Sequence, residues 1–221
     1  MANMYKVDLH THSIASPDGG TTEAQYASAL ETGVLDCVAI TDHDRVDFAL
    51  KIHAKLGKRI IVGEEISTSE GELIGLFLTK RIEPGLTATE TVLQIKSQGG
   101  IVYVPHPFET VRKGLTEQTL NQIRKHIDII ETVNGRAFAQ NKSPEASTWA
   151  CTNDVASFAS SDTHHSGGLG KTFTELSDIP TKELIVALSR SGKKHYEKPS
   201  LDDVLAPKRN RLLKKIKRSN T

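Results

Sequence analysis

The chain is short of cysteine, of aromatics and of long apolar runs, and each shortage removes a class of protein. Its 221 residues hold two cysteines, Cys37 and Cys151, too far apart for a CxxC motif and too few for a disulfide framework. That points to a reducing, cytoplasmic setting. No apolar run approaches 18 residues, which predicts no membrane span. A strand pattern within five residues of Met1 leaves no room for a signal peptide. A formal net charge of +1 gives no overall polyelectrolyte character. The balance is uneven, because seven basic residues and no acid lie between Lys208 and Arg218, leaving about −6 for the rest. With no repeat period and no low-complexity linker, the chain divides into one domain, 1–205, and a basic tail, 206–221.

What is present is a set of polar clusters, each after an apolar run. His10-Thr11-His12, Thr41-Asp42-His43-Asp44 and Ser161-Asp162-Thr163-His164 follow runs at 5–9, 37–40 and 155–159. In an extended chain alternate side chains share a face, so His10 and His12 can aim at one point while Thr11 turns away. Converging imidazoles and carboxylates are what a hydrolytic metal site requires. Strands are expected at 5–9, 37–40, 59–62, 73–78, 101–104, 127–133 and 155–159. Helices are expected at 22–32, 48–56, 87–98, 116–125, 144–149 and 181–190. Thr22 and Thr116 are N-cap residues, and Thr87 with Glu90 forms a capping box. Seven strands alternating with helices imply βαβ units. The clusters fall where a β/α barrel gathers its catalytic residues, and donors from six or seven strands favour a closed barrel over an open sheet.

The segments DLHTHS, SPDGG, AITDHD, GEEIS, VYVPHPF, IIETVN and SSDTHH, in that order, resemble the PHP (polymerase and histidinol phosphatase) family over residues 5–176. The resemblance implies a distorted seven-stranded β/α barrel, related to the TIM barrel, with a metal site at the C-terminal rim of its strands. It implies a centre of two or three divalent ions that hydrolyses phosphoesters. Carried over by position, His10, His12, Glu65 and Asp162 hold one ion, and Glu65 bridges to a second bound by His106. Asp18, His43 and His164 hold a third. His10, His12, Glu65, His106 and Asp162 form the catalytic set. One position departs from the family pattern, with Glu72 where a histidine is common. A carboxylate is a harder donor, which favours manganese or iron over zinc there. Two ions about 3.5–4 Å apart would neutralise the phosphoryl oxygens and supply a bridging hydroxide for in-line attack. Arg112, Arg136 and Lys171 are the candidate cations for the substrate phosphate.

Other readings compete at single positions. Asp42 either caps the next helix or buttresses His43. Glu131 is either a metal neighbour or a carboxylate ending a strand. Asp18 sits in Pro17-Asp18-Gly19-Gly20, which alone reads as a turn. Glu64 alternates with Glu65 and so faces outward. His165 lies beside the site or in solvent, His53, His126 and His195 lie on the surface, and Cys37 packs in the core. Every ligand position holds a metal-binding residue, which favours a phosphoesterase acting on small phosphoesters, nucleotides or oligonucleotide ends. The alternative is a non-catalytic metal- or nucleic-acid-binding PHP module. A metal-dependent amidohydrolase would want a bridging lysine or its equivalent on a strand, and none is evident. Few aromatics (Phe108, Phe138 and Tyr103) lie near the motifs to stack a base. In the tail, a helix starting at Pro207 would gather Leu212, Leu213 and Ile216 on one side. Its cations would either meet a polyanion such as a nucleic-acid end or remain solvated.

Overall fold

The structure, a computed structural model, describes residues 3–138 and 140–219. Residues 220 and 221 of the basic tail, and the side chain of Arg218, lie outside the described set. Nine strands form one sheet: β1 (Tyr5–Asp8), β2 (Cys37–Ile40), β3 (Ile60–Thr68), β4 (Gly71–Leu76), β5 (Ile101–Val104), β6 (Ile129–Asn134), β7 (Ala156–Ser160), β8 (Thr172–Leu176) and β9 (Lys193–Tyr196). Their order is β7-β6-β5-β4-β3-β2-β1-β8-β9. β1, β2 and β3 are parallel, as are β5, β6 and β7, and β4 runs antiparallel between the two sets.

Closure comes at the rim rather than along the strands. Beyond β1 the chain pairs with the segment after β7: His12 N donates to Thr163 O (2.8 Å) and Asp162 N to His10 O (2.9 Å). Below the rim, β8 pairs antiparallel with β1, and its Thr174 hydroxyl accepts from Ala159 N of β7 (2.9 Å). The sheet is therefore a nearly closed, mixed barrel of nine strands, not seven. β8 follows a glycine-rich stretch, and β9 is an exposed basic edge (Lys193, Lys194, His195, Tyr196) with no apolar face to announce it. β3 also runs longer than expected, so Glu65 lies within a strand and not after it.

Among the described residues, seven α-helices pack on or beside the sheet: α1 (Glu23–Glu31), α2 (Asp47–Leu56), α3 (Ala88–Ser97), α4 (Glu117–Ile123), α5 (Ser143–Thr152), α6 (Ile185–Ser191) and α7 (Leu201–Ser219). Thr22, Thr87 and Thr116 cap α1, α3 and α4, with reciprocal capping boxes at the first two. Strand alternation divides the apolar residues into two cores. Val38 and Ile40 pack outward with Tyr26, Leu30 and Ile52. Cys37 and Ala39 pack inward with Leu9, Ile61, Tyr103 and Phe158. Pro207 lies inside α7 rather than at its start. Leu212 and Leu213 do not dock: they are 59% and 51% exposed. No described helix is long and apolar enough to cross a membrane.

Candidate metal centre at the strand ends

The strand period breaks between Leu9 and His10. Asp8, the last residue of β1, accepts His10 N at 3.2 Å, and the Thr11 hydroxyl donates outward to Ala39 O at 2.7 Å. His10 and His12 thereby face the barrel axis with their Nε2 atoms 3.2 Å apart. Glu65, inward-facing on β3, is the hub. Its Oε2 lies 3.2 Å from His12 Nε2, 3.3 Å from His43 Nδ1 and 3.4 Å from His10 Nε2, and its Oε1 lies 3.0 Å from His106 Nε2. Asp162 Oδ1 lies 3.5 Å from both His10 and His12. Asp18 stands 3.6 Å from His43 and 3.5 Å from His164. Glu72 lies 3.8 Å from His106. Thus all nine expected ligands are brought together: seven line one cavity, and His10 and His12 lie fully buried against Glu65.

Backbone geometry shows what this convergence costs. His106 (φ 27°) and Asp162 (φ 50°) both hold left-handed conformations, which non-glycine residues seldom adopt. The loop that presents Asp18 closes so tightly that a Cβ on Gly19 would stand 2.1 Å from Ser13 O. Ser16 Oγ fixes Asp18 Oδ1 at 2.9 Å.

Outer partners orient the ring. Glu131, on β6, lies 3.3 Å from His10 Nδ1 and accepts from the Tyr103 hydroxyl (3.0 Å), His106 N (2.7 Å) and Asn134 Nδ2 (2.8 Å). It sits behind His10 rather than beside the inner donors, as an orienting carboxylate does. Asp42 neither caps α2 nor hydrogen-bonds His43 among the described residues; it accepts Ser13 N at 2.6 Å and Ser13 Oγ at 2.5 Å and holds the strap after His12. Glu64 faces away from the axis as expected, yet it is buried and accepts Ile82 N at 2.8 Å.

Charge is concentrated here. Burial opposes protonation of His10, but Asp162, Glu65 and Glu131 outweigh it and hold the imidazole well above its usual range. Burial likewise opposes charge on His43, and Glu65 and Asp18 carry it up to about 10. His164 goes the other way, to about 3, through burial, His12 and Arg136. Burial and the nearby Glu65 push Glu72 up to about 7. Burial disfavours charge on Asp162, yet Arg136 and His10 keep its pKa well below the carboxylate range.

The donor set fits divalent ions. Four overlapping groups each bring their ligand atoms within 4.8 Å of one another: His12, Asp18, His43 and His164; His10, His106 and Asp162; His10, His12 and Glu65; His43, Glu65 and Glu72. His12 Nδ1 and His106 Nδ1 are buried without a hydrogen-bond partner among the described residues.

The expected substrate cations separate. Arg112 and Arg136 line this cavity of about 320 Å³, whereas Lys171 does not and instead pairs with Asp203 at 2.8 Å. Val204, Pro207, Lys208 and Arg211 of α7 form the facing wall, which the sequence reading did not assign to the site. Their spacing of three, one and three residues marks one helical face. It goes unseen when the helix is started at Pro207. His165 bonds Asp203 (2.8 Å) behind the cavity.

No protein-family model matches the sequence. An uncharacterized protein of Methanocaldococcus jannaschii, MJ0417, is 32% identical over 180 residues, covering 79% of this chain and 71% of that protein. A Bacteroides vulgatus two-domain protein, described as containing a predicted PHP-like metal-dependent phosphoesterase, superposes with a TM-score of 0.72 at 19% identity, covering 93% of this chain and 69% of its own. The lesion-specific endonuclease EndoQ of Pyrococcus furiosus gives 0.62 at 16% identity, covering 92% and 66%. The chain belongs to one family with MJ0417, and the PHP resemblance carried by its seven motifs is borne out by the fold.

Proposed function

We propose that this chain is a metal-dependent phosphoester hydrolase acting at the strand-end cavity. One observation carries the reading: four overlapping groups of imidazoles and carboxylates, all buried except the half-buried His43, converge at a single cavity, with Glu65 shared between two of them. His10, His12, Glu65 and Asp162 would hold one ion, Glu65, His106 and Glu72 a second, and Asp18, His43 and His164 a third. Manganese, iron or zinc, when bound there, would neutralise phosphoryl oxygens and acidify water for attack on phosphorus. Glu131 orients the His10 ring through Nδ1 and fixes His106 through its backbone N–H. Arg136 and Arg112, which line the cavity and stand 3.2 and 2.6 Å from Asp162, help to keep that carboxylate ionised for ligation. The cavity volume suits a small phosphoester or a nucleotide rather than a folded polymer. The domain-and-tail division at 205/206 is also a proposal, and α7 crosses that boundary.

Elemental analysis of protein purified without chelator should give at least two metal equivalents per chain. Hydrolysis of p-nitrophenyl phosphate or its bis-ester should disappear with chelation and return with manganese, iron or zinc. Less than one equivalent, with no recovery on adding metal, removes the reading. Full metal content without turnover on a phosphoester panel would instead make the chain a non-catalytic module.

A further inference from the structure

We infer that Lys208 and Arg211 of α7 are substrate-binding cations of this cavity, so that the C-terminal helix is part of the active site. The inference rests on the hydrolase reading and adds the group that receives the substrate's anionic oxygens.

The charge of the two arginines nearest the donors is already engaged. Arg112 donates to Asp162 (2.6 Å), to Asn134 (2.5 Å) and to both Glu109 oxygens (2.8 and 2.5 Å). Arg136 lies 3.2 Å from Asp162 Oδ1 and 3.3 Å from His164 Nδ1. An anion entering the cavity would have to compete with Asp162 for both guanidiniums, although Arg136 keeps its Nε buried without a hydrogen-bond partner among the described residues. On the opposite wall Lys208 is exposed and has no hydrogen bond or ion pair among the described residues. Arg211 has one carboxylate partner, Asp18 Oδ2 at 2.7 Å, and its side chain is 62% exposed, leaving donors for a ligand.

The helix that carries them is held in place at three levels. At its start Asp203 is buried and binds Lys171 (2.8 Å), His165 (2.8 Å) and Ser200 N (2.7 Å). In the middle Asn210 Nδ2 donates to Asp18 O and His164 O, both at 2.9 Å, touching the backbone of two candidate ligands. Further on, Lys214 donates to Ile14 O and Gly19 O, both at 2.7 Å, and to Ser16 O. A helix fixed so tightly presents Lys208 and Arg211 at constant positions, which limits the ordering cost of binding an anion. Its docked face combines buried Ala206 and Pro207 with Asn210, Arg211 and Lys214, and the barrel side supplies carbonyls and Asp18, so the helix joins the site by charge as well as by apolar burial.

The test uses the full-length, manganese-loaded protein, with inorganic phosphate as the binding probe and p-nitrophenyl phosphate as substrate. K208Q/R211Q should raise the phosphate Kd and the KM about tenfold or more, the loss of at least one hydrogen bond to a charged group. Metal content should hold and kcat should change little, and K208R should match wild type. Should the double variant lose metal or fold, K208Q alone decides, because Lys208 bonds to nothing in the fold. A phosphate Kd within twofold of wild type in the deciding variant overturns the inference, as does a wild-type holoenzyme that binds no phosphate. Absence of turnover on every phosphoester, with phosphate still bound through Lys208, would remove the hydrolase reading and leave the anion site standing.

Discussion

The two ends of this barrel are built from the same strands and opposite chemistry. At the end where the parallel strands finish, nine imidazoles and carboxylates crowd together, two of them on left-handed backbone. At the end where they start, a cavity of about 720 Å³ is lined largely by apolar groups, including Tyr5, Ile60, Ile61, Phe77, Leu78 and Pro180. The residues packed around that cavity, such as Ile60, Ile61 and Leu78, contribute stability by removing apolar surface from water. The finishing end spends stability on desolvated like charges such as Glu65 and Glu72, a cost offset by partners and by bound cations. Fold and function are thus separable along the barrel axis, and substitutions at each end should show it.

The largest effect should come from the hub. Glu65→Ala takes a donor from two groups and should lower kcat/KM about 10³-fold or more, several kcal/mol at about 1.4 per decade. His10→Ala with His12→Ala should be equally severe. In both, circular dichroism should remain native, and wild-type turnover would break the division between ends. The reverse case is Ile61→Ala at the apolar end, which should cost about 2–5 kcal/mol in denaturant unfolding while turnover per folded molecule and metal content hold. Loss of metal in that variant would show that the ends are coupled. Glu131→Gln is smaller, with metal affinity or activity falling about 10- to 100-fold, because it acts through His10 and His106.

The smallest predicted effect concerns the helix dock. Burial disfavours charge on Asp203, but Lys171, Ser200 and His165 draw its pKa down to about 2. A carboxylate depressed in the folded state stabilises above its unfolded pKa, about 3.9, and that stabilisation is lost as pH falls toward 2. Asp203→Asn should therefore lower Tm at neutral pH, and the gap from wild type should close between about pH 4 and 2. A gap independent of pH would mean that the carboxylate's charge does not hold α7.

Legibility followed distance along the chain. Three helix starts were readable because Thr22, Thr87 and Thr116 bond to amides three residues away. Glu131 was left between two roles, since its position depends on Tyr103, His106 and Asn134 arriving from two strands. Asp42 has two local readings, a cap on the next helix or a buttress for His43, yet its partner is Ser13, 29 residues back. β9 escaped notice because an exposed edge strand needs no apolar alternation.

By itself, the sequence determined the donor types, their order along the chain and the local caps. Those depend on side-chain chemistry and on hydrogen bonds spanning a few residues. Only the tertiary structure decided that the rim closes through Asp162 N to His10 O, and that Arg211 meets Asp18 across 193 residues. It also decided that the polar face of α7, rather than its leucines, seats on the barrel. Such pairings are chosen by which surfaces remain uncovered once the barrel has formed, and no window of local pattern contains that information.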